Sequence, residues 1–185
     1  MTPPVLARPG TGDAAPRGGL LRRDGDVVIG IAELRVSATA GERLVTYALG
    51  SCLGITIHDP VAGVAGLLHA MLPSGAIDAE KAARNPAMFV DTGVPLLFRE
   101  SYRLGAKKER IVCKVAGGAH AGADESSDQF QIGKRNMLML RKLLWKNGVV
   151  LHAHDTGGVQ TSRTVFLDVG TGALTVRSHG RDSSL

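Results

Sequence analysis

The stretch from Thr46 to Leu72, TYALGSCLGITIHDPVAGVAGLLHAML, decides the fold. Its apolar residues fall in two short runs, LGITIH (53–58) and VAGLLHAML (64–72), with the turn signal Asp59-Pro60 between them. This pattern predicts an antiparallel hairpin through a four-residue loop, Asp59–Ala62. His58 then faces Gly63, and counting back along the ladder sets Cys52 directly opposite His69. Directly opposed residues share a face with Cβ atoms about 4.5–5.5 Å apart, near enough for an imidazole to take a thiol proton. Cys52 follows Gly50-Ser51 and precedes a strand, where the chain changes direction. Glycines at 50 and 54 allow unusual backbone angles and close approach by a substrate. Outward-turned N–H groups at such a turn suit the holding of an oxyanion. A small buried hydrophobe and a satisfied core imidazole account for the same two residues. On the residues alone, the pair is therefore either core or catalytic.

Outward from this hairpin the chain keeps the same texture. VVIGIAELRV (27–36), RLVTYALG (43–50), RIVCKVA (110–116), VVLHAH (149–154), TVFLDV (164–169) and ALTVR (173–177) read as further strands. A helix is predicted over Lys134–Lys146, where Met137, Leu140 and Leu144 recur at helical spacing and Asn147-Gly148 supplies a stop. A second is predicted over Pro86–Leu104, with Gly93 and Pro95 weakening its front half. Two helices among eight strands, without regular alternation, indicate an α+β fold. Residues 1–25, rich in Pro, Gly, Ala and Arg, lack hydrophobic periodicity and read as a disordered extension, which leaves 26–185 as one domain.

Composition narrows the function classes. With 185 residues and 44% hydrophobic content the chain can bury one sizeable core. The net charge of +5 is spread thinly, with no Lys/Arg run longer than two, and seven aromatic residues are too few for a base-stacking surface. Nucleic-acid binding is not expected. No stretch resembles a signal-peptide core or a membrane span, so a cytoplasmic chain with Cys52 and Cys113 as free thiols is expected.

The motifs LGSCLGITIHDP and HAMLP resemble those of the chemoreceptor glutamine deamidase family CheD, which carries a GSC cysteine and a histidine seventeen residues later. The likeness continues through FVDTG, VAGGA, IGKRN, DTGG and RTVFLDVGTG, from about Val27 to Arg177. It implies Cys52 as nucleophile, His69 as base and Thr46 as the third catalytic residue. It also implies a β-sandwich of mixed sheets flanked by helices, similar to cysteine deamidases of the cytotoxic necrotizing factor type. No cofactor or metal is implied. The implied partners are the cytoplasmic domains of methyl-accepting chemoreceptors, and a CheC-type phosphatase for which the chain would alternatively serve as a non-catalytic adaptor. A monomer that does not insert into membranes is expected. His120 and the acidic run Asp124–Asp128 depart from the family pattern and bear on substrate preference.

Other residues offer less. His152 and His154 share a strand face and, with Asp155 or His120, form a conceivable zinc set, but CxxC and HExxH spacings are missing. Gly117-Gly118 lacks the rest of a phosphate loop. Cys113 alternates with apolar neighbours as a core residue does.

Overall fold

In a computed structural model, which describes residues 23–122 and 127–185, these runs form ten strands and three α-helices among the described residues. The strands are β1 (Asp26–Val28), β2 (Leu34–Ser37), β3 (Arg43–Leu49), β4 (Leu53–Asp59), β5 (Val64–Ala70), β6 (Val112–Gly117), β7 (Leu151–Thr156), β8 (Arg163–Asp168), β9 (Leu174–Ser178) and β10 (Arg181–Ser184). The helices are α1 (Ala79–Arg84), α2 (Val90–Arg103) and α3 (Ile132–Lys146). One sheet runs β1-β3-β8-β9-β10 and the other β2-β5-β4-β6-β7. Each is mixed, through the parallel pairs β1/β3 and β6/β7. The expected α+β sandwich of mixed sheets is therefore present. Of the expected extension, residues 1–22 lie outside the described residues.

β4 and β5 are buried along their whole length on both faces, which is why their sequences read as nearly continuous apolar runs. On one face Leu53, Ile55, Ile57 and Leu68 meet Leu97 and Phe98 of α2 and Leu140 and Leu144 of α3. On the other, Ala65 and Leu67 join Leu44, Leu49, Val165, Leu167 and Leu174 between the sheets. α2 begins at Val90, later than the expected Pro86, because Pro86–Met88 forms a separate 3-10 turn, and it runs through both Gly93 and Pro95. A Cβ on Gly93 would lie 3.0 Å from Leu68 Cδ2, so glycine lets the helix rest directly on β5.

The hairpin exists with a corrected register. Asp59 pairs with Val64, so the four-residue loop is Pro60–Gly63, one position later than expected on both strands. Gly63 adopts φ +63°, a turn conformation that removes it from the ladder. Asp59 extends the strand because its carboxylate accepts from the amides of Val61, Ala62 and Lys107 and from the Arg110 guanidinium. Burial works to raise this carboxyl, yet Arg110 and the three amides hold it well below the usual carboxylate range. The run VVIGIAELRV likewise divides: Ala32 takes φ +60°, and its two halves, β1 and β2, enter different sheets.

Candidate active site

Ahead of Cys52, β3 carries a bulge. Thr46 pairs with Val165 and Leu49 with Arg163, so Tyr47 and Ala48 together oppose Thr164, and Ala48 adopts φ +57°. Bulges re-aim the chain that follows them. Here the following chain is Gly50-Ser51-Cys52, which leaves the ladder before β4 begins. Its three carbonyls are all taken. Gly50 accepts from the Ala119 amide at 2.9 Å, Ser51 from Asn136 Nδ2 at 3.0 Å and Cys52 from the Gly118 amide at 2.8 Å. The fit is close: a Cβ on Gly117, whose φ is +114°, would lie 2.2 Å from the Cys52 carbonyl oxygen. The Cys52 side chain is half-buried at the margin of the intersheet core.

His69 and Thr46 come from opposite sheets and meet in the interior. Thr46 Oγ1 lies 2.7 Å from His69 Nδ1 and donates to the Ile29 carbonyl at 2.8 Å. A hydroxyl has one proton. Spent on Ile29, it obliges Thr46 to accept from Nδ1–H, which leaves the lone pair of neutral His69 on Nε2. That nitrogen is buried and has no hydrogen-bond partner among the described residues. The backbone of His69 is gripped as well, by the Ala32 amide on its carbonyl and the Glu33 carbonyl on its amide.

The observed register sets Gly54, not Cys52, opposite His69, which corrects the direct pairing. A shift of two in the pairing sum preserves faces, and Cys52, just beyond the last ladder pair Leu53↔Ala70, packs against the intersheet cluster on the side that His69 faces. Gly54 has a role here. A Cβ on it would lie 2.7 Å from Leu49 Cδ1, so its absence lets Leu49 pack directly over β4 beside Thr46.

Burial shifts both titratable groups toward neutrality. It pushes the Cys52 thiol up, against a smaller pull from its own amide N–H, and pushes the His69 imidazole down. At rest the site holds a thiol and an imidazole rather than an ion pair. Cys113, wholly buried, is pushed up to about 12 and belongs to the core.

The remaining candidates scatter. Among the described residues no three His, Cys, Asp or Glu side chains gather as a metal site would require. His152 Nδ1, on β7, accepts from the Cys113 amide of β6, and Asp155 is paired with Arg163. Asp128, the described end of the acidic run, is buried 3.8 Å from His120 and accepts from the Gln131 amide at the start of α3. Asp124, Glu125 and Ser126 lie outside the described residues. Asn136 and Arg163, both buried and both binding loop carbonyls beside the GSC turn, escape the sequence reading. Asn136 had a signal: it is the polar member of the apolar face of α3, which also buries Gly133, Leu140 and Leu144.

Comparison with known proteins identifies the family. A family model described as "CheD chemotactic sensory transduction" matches residues 71–178, beginning just past His69. The chain is 49% identical over 156 residues to "Probable chemoreceptor glutamine deamidase CheD 1" of Syntrophus aciditrophicus, covering 84% of this chain and 96% of that one. It is 43% identical over 159 residues to the probable chemoreceptor glutamine deamidase CheD of Solibacter usitatus, covering 86% and 92% respectively. The archaeal counterpart from Thermococcus kodakarensis is 41% identical over 152 residues, covering 82% and 92%. Among solved structures, the Bacillus licheniformis hypothetical protein YfiH aligns at 12% identity and a TM-score of 0.41 over 68% of this chain and 50% of its own, too distant to add to the fold. With near-half identity across most of its length, the chain belongs to the CheD family.

Proposed function

We propose that this chain deamidates glutamine side chains of methyl-accepting chemoreceptors in the cytoplasm, with Cys52 as nucleophile, His69 as general base and Thr46 orienting the imidazole. One observation carries the reading. The Thr46–His69 hydrogen bond leaves an unprotonated Nε2 on the face that Cys52 shares. Relatives named as chemoreceptor glutamine deamidases supply the substrate class.

The chemistry follows from the neutral resting pair. His69 Nε2 takes the Cys52 proton as the sulfur attacks the carboxamide carbon, so no free thiolate accumulates. The carbonyl oxygen becomes an oxyanion facing the backbone N–H groups of the GSC turn. As the carbon–nitrogen bond breaks, imidazolium returns its proton to the departing ammonia. A thioester on Cys52 remains. Water, deprotonated by the same Nε2, adds to the thioester, and glutamate leaves as the thiol is restored. The steps balance without a redox partner. An adaptor role toward a CheC-type phosphatase would not call for a hydroxyl-anchored imidazole with its Nε2 left unpartnered near a half-buried thiol, so catalysis is the favoured reading.

The test is mass spectrometry of receptor cytoplasmic fragments incubated with the protein. Modified glutamines gain about one dalton each as amide becomes acid. Fragments unchanged in mass after prolonged incubation would contradict the assignment.

The pH dependence has a definite sign. Catalysis needs neutral His69, and burial lowers its pKa from the ordinary 6.5. Activity is therefore present above that folded-state pKa and lost as pH falls through it, so the acid limb of kcat/KM lies below 6.5. An acid limb clearly above the ordinary imidazole value would contradict a buried, hydroxyl-anchored base.

A further inference from the structure

Three consecutive carbonyls of the GSC turn accept hydrogen bonds from the segment Gly118–Asn136. In a planar trans peptide the N–H points opposite to the C=O. Binding the Gly50 and Ser51 carbonyls on that side therefore turns the N–H groups of Ser51 and Cys52 to the other. Two of the three donors are backbone amides, of Gly118 and Ala119. The third is a side chain, and it holds the peptide whose N–H belongs to Cys52.

We propose that Asn136 is the positioning residue of the oxyanion site, fixing the Ser51–Cys52 peptide so that the Cys52 N–H faces the carbonyl oxygen of the substrate under attack. The inference rests on the assignment of Cys52 as nucleophile. Asn136 is fully buried, and its Nδ2 donates to the carbonyls of Ser51 and Met71, both at 3.0 Å. These two residues lie just beyond the last ladder pair, Leu53↔Ala70, so the amide joins the two strand continuations where sheet bonding has stopped. A hydrogen bond accepted by the Ser51 carbonyl also polarises the peptide and makes that N–H a stronger donor. Packing does not account for the residue type. Asn136 Oδ1 is buried without a hydrogen-bond partner among the described residues. Leucine would fill similar space without that orphaned oxygen, but would strip both carbonyls of their donor. The helix is placed for the task by Gly133, where a Cβ would lie 2.4 Å from the Gly118 carbonyl oxygen.

The test compares two reactions of one thiol in Asn136→Leu. Deamidation of a receptor cytoplasmic fragment passes through an oxyanion, whereas alkylation by iodoacetamide is displacement at a saturated carbon and forms none. We expect kcat to fall by about 10–100-fold and KM to stay within about twofold, as when an oxyanion donor is misplaced. The Cys52 alkylation rate should stay within about twofold of wild type. Unchanged kcat in the folded variant, or kcat and alkylation falling in equal proportion, would overturn the proposal. If Asn136→Leu does not fold, Asn136→Ser decides: its hydroxyl offers one donor in place of two, so kcat should fall by a smaller factor with alkylation again preserved. Wild-type kcat in Asn136→Ser would overturn the proposal too. The underlying assignment fails separately, through a Cys52→Ser protein that still deamidates.

Discussion

Cys52→Ser should lose deamidation by more than about 10³-fold while its unfolding midpoint stays within a few degrees of wild type. The loss is chemical. A serine hydroxyl is far less acidic than a thiol, and an imidazole whose pKa burial has lowered is a poor base for it. The fold is spared because Cys52 is half-buried, lies outside the ladder and is held through its backbone carbonyl. His69→Ala should lose activity to a similar extent, since the two groups act as one unit. Cys113→Ala is the informative control. It removes a fully buried sulfur with a thiol pKa of about 12, so it should cost some stability and leave kcat near wild type. Undiminished ammonia release by Cys52→Ser would end the nucleophile assignment.

The largest stability effect is expected at the other end of β4. Asp59→Ala should destabilise the domain by roughly 3 kcal/mol, lowering the unfolding midpoint by about 6–12 °C. The carboxylate is wholly buried and receives three amides and a two-pronged guanidinium; its removal strands those donors together. Arg110 retains 28% of its side-chain exposure, which places the effect at the lower end for buried pairs. Because the Asp59 pKa is lowered on folding, its contribution is fully present above the ordinary carboxylate range and is lost progressively as pH falls from that range through the depressed folded-state value. Residual folded Asp59→Ala should keep its kcat, since the length of β4 separates Asp59 from Cys52. A change in midpoint under about 2 °C would show that the pair is idle.

Much of this could be read from the sequence because local signals matched the global fold. The hairpin, α3 and most strands announce themselves by periodicity and turn residues. The register did not, because it depends on Gly63 entering the turn and on Asp59 finding Arg110 fifty-one positions away. α1 passed unnoticed although Asp78 caps it, and β10, RDSS, has no apolar pattern because all four of its residues are exposed and backbone pairing with β9 defines it. Thr46 was legible only through family resemblance. Its partner His69 is on the other sheet, a relation no local pattern encodes. Asn136 is a similar case, since its two acceptors belong to loops 65 and 85 residues away.

The central claim, that Cys52 forms a thioester with the substrate glutamine, is tested most directly by acid-quenching wild-type protein during turnover of a receptor peptide and weighing the cysteine-containing fragments. A fragment carrying Cys52 should appear heavier by the peptide mass less about 17 Da, the ammonia expelled. It should vanish with time and be missing from Cys52→Ser. Turnover with no such adduct on Cys52, or an adduct on Cys113, would contradict the account.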